Sequence, residues 1–149
     1  MLQKTLTLLS KQLQSYLRSI PELNSGKEAE VHLSSILASD GDIALHTDSL
    51  GMTLINIEEE KTNKRHYSTK PSPTGDIIKT FPKTKLYLYV LFTAHFSHYT
   101  TALSFLTSTI RFFQARKIFN SDNTPGLSKT IDNISAELHS SSLEEQNLY

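Results

Sequence analysis

The chain contains no cysteine, which excludes disulfide scaffolds, thiolate zinc sites, iron–sulfur ligation and cysteine nucleophiles together. It also lacks net charge: 15 Lys and Arg stand against 15 Asp and Glu. A dedicated nucleic-acid binder normally needs a basic face to neutralise phosphates, so DNA and RNA are not expected partners. Near-zero charge also gives little colloidal repulsion, a condition that suits a protein docked in an assembly better than a free one. Long apolar runs are missing as well. The longest, Leu86 to Phe96, is interrupted by Thr93 and His95 and falls far short of the roughly 18 to 20 residues that span a bilayer. The first residues break their leucines with Gln, Lys and Ser, so they read as mature sequence and not as a signal peptide. What remains is a chain of 149 residues, 38% hydrophobic, the size and composition of one globular domain with a packed core.

Leu2, Leu6, Leu9, Leu13, Leu17 and Ile20 recur at steps of three and four, with Lys4, Lys11, Gln14 and Arg18 between them and Pro21 closing the run. That period predicts an amphipathic helix whose leucine stripe faces the core. Asn24-Ser25-Gly26 marks a turn, and Ala29 to Leu37 reads as a strand that alternates through Val31 and Leu33. Asp40-Gly41-Asp42 supplies another turn. Leu50 to Glu60 reads as a strand with an acidic end, and Gly51 as a turn or bulge within it. From Lys61 to Lys85 the composition changes to seven Lys and Arg against Asp76, a formal +6, with Pro71, Pro73, Gly75 and Pro82. This segment reads as a long basic loop or arm, and structureless connections of that length inside compact domains are usually functional or disordered.

Leu86 to Phe96 is apolar on one face and aromatic or polar on the other, which predicts the central strand. Ser97 is placed to cap a second helix from Tyr99 to about Lys117, with Leu103, Leu106, Ile110 and Phe113 as its stripe. Asn120 to Gly126 is a loop, Ile134 to Leu138 a last strand, and Ser142-Leu143-Glu144-Glu145 a capping box that opens a further helix. The fold class expected is α+β: a single domain over residues 1–149, with a mixed or antiparallel sheet of about four strands and two main helices packed on it.

Few residues are arranged for chemistry. His95 and His98 straddle a strand–helix boundary and have no third ligand at a recognisable spacing. Glu58, Glu59 and Glu60 fit a solvated strand end or an ion-pairing patch better than a metal site, because a strand sends alternate side chains to opposite faces. No G-x-S-x-G elbow, phosphate loop or dinucleotide fingerprint occurs. No catalytic residue, cofactor or metal is therefore expected. A small enzyme using His95 or His98 is a distant alternative.

The order of segments carries more information than any one of them. Leu50-Gly51-Met52-Thr53-Leu54-Ile55-Asn56-Ile57-Glu58-Glu59-Glu60, a basic proline-containing loop, Leu86 to Ala94, Ile110-Arg111-Phe112-Phe113-Gln114, Ile134 to Leu138 and Leu143-Glu144-Glu145-Gln146-Asn147 follow one another. This series resembles the tail-terminator, or cap, family of phage-tail-like contractile injection systems. The resemblance implies a structural protein that forms a homo-hexameric ring closing the distal end of the inner tube and sheath and stopping their polymerisation. Its implied partners are other copies of itself, the inner tube protein and the sheath protein, with no membrane insertion. It also implies assembly in the bacterial cytoplasm, the finished particle being released or membrane-attached. Members of that family continue past Leu143–Asn147, so this chain is either a short member or lacks a distal segment. An adaptor joining the tail end to another structure is the alternative role.

Candidate interface residues are the acidic run Glu58, Glu59 and Glu60, the basic arm through Lys64, Arg65 and Lys70, and Arg111 with Phe112 on the second helix. A charged arm can set register by electrostatic complementarity. Phe112 and Phe113 point about 100° apart on a helix, so they cannot share one narrow core stripe.

Overall fold

The computed structural model describes residues 1–60, 68–71, 73–75, 77–80 and 84–140. Helix α1, Leu2–Arg18, forms where the leucine period predicts it. Ile20 is extended ahead of Pro21, as the residue before a proline tends to be, and Pro21 opens a short 3₁₀ turn, Pro21–Asn24. Strand β1, Val31–Leu33, pairs in parallel with β2, Ser49–Glu59, in the register Val31 to Leu50 and Leu33 to Met52. Parallel neighbours need a long crossover, and residues 34–48 supply it with no regular element beyond the bridge between Leu37 and Ile43. Strands β3, Ser68–Pro71, and β4, Ile77–Thr80, form an antiparallel pair. Strand β5, Leu86–His95, leads into helix α2, Tyr99–Ala115. Strands β6, Ile118–Asn120, and β7, Asn133–Ser135, form a second antiparallel pair.

The fold class is α+β, with two main helices and a mixed sheet ordered β1-β2-β5. Four further strands sit in two separate pairs, β3 with β4 and β6 with β7. The chain divides into two compact units, Met1–Thr53 with Leu91–Tyr149, and Leu54–Val90. The buried apolar core belongs to the first: Leu6, Leu9, Leu13 and Leu17 of α1, Val31, Leu50, Met52, Ala102, Phe105, Phe112 and Phe119. Among the described residues of the second unit, none is fully buried.

Five expectations change. Leu86–His95 is not the central strand; β2 is, and none of the ten residues of β5 is fully buried. The segment 61–85 is not loop throughout, since β3 and β4 lie in it, joined through Gly75 at φ +86°. Gly51 marks neither turn nor bulge. It lies in register with His32, and a Cβ there would fall 2.7 Å from Leu45 Cδ2, so the bare backbone lets Leu45 pack against the strand. On α2 the buried residues are Ala102, Phe105, Ser108, Thr109 and Phe112, whereas Leu103 and Ile110 are more than 40% exposed. Ser97 does not cap α2 either: His98 holds that position, and the Ser97 hydroxyl donates to Asp48 Oδ1 at 3.2 Å. The capping box at Ser142 to Glu145 lies outside the described residues.

Candidate docking surfaces

Side-chain alternation along the end of β2 sends Glu58 and Glu60 to one face and Glu59 to the other. Within the second unit, Tyr89 Oη donates to Glu58 Oε2 at 3.2 Å and Tyr87 Oη donates to Glu60 Oε1 at 3.2 Å. Glu58 and Glu60 thus face Tyr89 and Tyr87 in descending order, so the chain segments around them run antiparallel. The Glu60 N–H donates to Lys85 O at 3.0 Å, and Lys85 Nζ stands 3.6 Å from Glu60 Oε2 and 5.3 Å from the centre of the Tyr87 ring. The Tyr87 hydroxyl first, and the Glu60 carboxylate second, raise the Lys85 ammonium above its ordinary pKa. Two of the three glutamates are therefore engaged within the chain, and Glu59 is exposed on the opposite face.

The remaining sequence candidates separate. Lys64 and Arg65 lie outside the described residues, and Lys70 falls in β3. Arg111 is exposed on α2 and, among the described residues, has no ion-pair partner. Phe112 is a correction: only 6% exposed, its ring lies 5.2 Å from Tyr16, 5.0 Å from Phe113 and 6.0 Å from Phe119, so it packs in the core and offers no docking surface. Phe113, half-buried, stacks 5.5 Å from Phe92. His95 is half-buried and His98 exposed. Among the described residues, no three His, Asp or Glu side chains converge as metal ligands would, and no helix is long and apolar enough to cross a membrane.

The family model of the Pvc16 N-terminal domain matches residues 4–148, almost the whole sequence. The chain belongs to the Pvc16 N-terminal domain family. That family groups structural proteins of phage-tail-like contractile injection systems, which agrees with the coarse resemblance of the segments. No curated protein matches the chain.

In this Pvc16 N-terminal domain, β5 lies at one edge of the three-stranded sheet. Strand β5 has a single strand neighbour among the described residues, and it exposes Leu86, Tyr87 and Leu91. An open, apolar strand edge is a template for pairing with another chain unless something covers it. Sequence reasoning missed two positioning residues. Asn24 Nδ2 donates to Ile20 O at 2.6 Å and Leu17 O at 3.0 Å, tying off the end of α1, while its Oδ1 accepts from Ala29 N at 2.7 Å. Arg116 donates to Gln12 Oε1 of α1 at 2.9 Å and to Thr124 Oγ1 at 2.8 Å, with its guanidinium 4.8 Å over the Phe119 ring. The available signals were an Asn six residues past a helix end and an Arg at the end of an otherwise uncharged last turn.

Proposed function

We propose that this chain is the terminator of a contractile tail, a subunit of a six-fold ring that closes the distal end of the inner tube and sheath and halts their growth. The observation that carries the reading is the Pvc16 N-terminal domain match over residues 4–148. The role is structural and calls for no catalytic group. A terminator needs one surface that accepts the last tube or sheath subunit and a head-to-tail contact that closes into a ring, leaving no site for further growth. The exposed edge of β5 suits the first requirement, because strand addition supplies main-chain hydrogen bonds to a partner that ends in an extended segment. Partners are then other copies of the chain, the inner tube and the sheath, met during assembly in the bacterial cytoplasm.

Electron microscopy of tail particles from cells with and without the gene tests this, scoring tail length and density at the distal end. Overlong or unstable tails without end density are expected from the deletion. Tails of uniform length with intact ends would overturn the reading and favour an adaptor.

A further inference from the structure

Two uncovered apolar patches lie in the first compact unit, and they differ in charge. On α2, Tyr99, Leu103, Leu106 and Ile110 follow one another at steps of four, three and four, which aligns them along one side of the helix. Tyr99 is 76% exposed, Leu103 44% and Ile110 41%. This side lies away from Phe105, Thr109 and Phe112, which face the core. The helix carries no acidic residue, and its one formal charge is Arg111, exposed beside the stripe.

The second patch is the small hairpin of residues 36–44. Leu37 and Ile43 pair across it, exposed by 57% and 63%. Its backbone is fixed by Ala38 N donating to Asp42 O at 2.8 Å and Ala44 N to Ile36 O at 2.9 Å, with Gly41 at φ +90° in the turn. The Asp42 N–H donates to Asp40 Oδ1 at 3.1 Å, which holds the tip. Among the described residues neither Asp40 nor Asp42 has a cationic partner. An apolar pair with an acidic tip is thus displayed on a preformed loop, so little ordering entropy is lost when it docks.

We propose that the 36–44 hairpin of one copy seats on the Tyr99–Ile110 stripe of a second copy, with Asp40 and Asp42 facing Arg111. Leu37 and Ile43 cover Leu103 and Ile110, and the acidic tip meets the one charge on the helix. Because the two surfaces differ, the contact is heterologous and repeats from copy to copy until the rotation closes a ring. The inference rests on the ring reading above and names the contact that builds it.

Native mass spectrometry of the purified chain over a concentration series, with Leu103→Asp, Ile43→Asp, Asp42→Arg, Arg111→Glu and the Asp42→Arg/Arg111→Glu double variant, tests the contact. All four positions are on the surface, and circular dichroism checks that each variant folds. Each single variant is expected to weaken association by about tenfold or more, and the double reversal to recover most of it. Rings that persist in Leu103→Asp and Ile43→Asp overturn this contact and leave the ring reading standing. A wild-type chain that stays monomeric throughout overturns the contact and removes self-assembly as the origin of the ring. A dimer abolished by the same variants and rescued by the double reversal keeps the contact and overturns the ring.

Discussion

Replacing Asn24 by alanine removes the group that closes α1. Its amide donates to the carbonyls of Leu17 and Ile20 and, at 3.3 Å, of Arg18, and its oxygen accepts from Ala29 N. Helix C-terminal carbonyls lack the usual partner within the helix, and here Leu17 O accepts from both Ile20 N and the Asn24 amide, while Ile20 O accepts from Leu23 N and the same amide. Two of the bonds, at 2.6 and 2.7 Å, are short and partly buried. With about 1 kcal/mol net for each bond and a further cost for the Ala29 N–H, which loses its acceptor in a residue only 2% exposed, Asn24→Ala should destabilise the fold by about 2–3 kcal/mol. For a chain of this size that lowers Tm by about 5–10 °C. Urea denaturation followed by far-ultraviolet circular dichroism measures it, with the m-value unchanged if only the cap is lost. Asn24→Asp sharpens the reasoning, since a carboxylate cannot donate and sets a negative charge at the negative end of the helix dipole. It keeps the acceptor for Ala29 N but faces the Leu17 and Ile20 carbonyls with a negative charge, so at neutral pH it should be less stable than the wild type, and the gap should narrow as acid protonates the carboxyl. An Asn24→Ala variant within about 0.5 kcal/mol of the wild type would refute the argument.

Arg116→Lys keeps the charge but not the planar fork that reaches Gln12 and Thr124 at once, so it should still cost about 1–2 kcal/mol by the same urea assay. Ser34 Oγ is buried without a hydrogen-bond partner among the described residues, so Ser34→Ala is expected to leave thermal stability unchanged or raise it slightly. The hydrogen bond from His32, and then Lys27, lower the Glu30 pKa below its ordinary 4.5. A lowered acid stabilises the fold above its unfolded pKa and loses that contribution as pH falls through the folded value. Wild type should therefore exceed Glu30→Gln near pH 6, with the difference vanishing in stronger acid. For Lys85, whose pKa is raised, the contribution is complete below 10.5 and fades as pH rises through the folded value; Tyr87→Phe should lower that value in an NMR titration.

The two helices show how far sequence pattern reaches. Helix α1 has leucines on one side and polar residues on the other, so its period alone names the buried residues Leu6, Leu9, Leu13 and Leu17. Helix α2 is apolar on two sides, and two stripes, Leu103/Leu106/Ile110/Phe113 and Ala102/Phe105/Thr109/Phe112, have equal helical spacing. Only packing chose between them: Tyr16 of α1 and Phe119 of β6 meet the second stripe at Phe112, while Leu103 and Ile110 of the first stay exposed. Strand β5 failed for a related reason, because an apolar run records that side chains avoid water and not what covers them. The β3–β4 pair was hidden by lysines and prolines, although Pro73-Thr74-Gly75 between two β-branched segments carried a turn signal.

Of the candidate docking residues, pattern placed Arg111 on the surface of a helix and the glutamates at a strand end, and it left Phe112 undecided between core and interface. Periodicity and turn chemistry are local, so the sequence by itself determined the α+β class, the extent of both helices, the acidic end of β2 and the absence of thiol chemistry. Strand order, the buried side of α2, the close approach at Gly51, and the roles of Asn24 and Arg116 arise between residues far apart in the chain. Those were decided only when the tertiary structure brought the partners together.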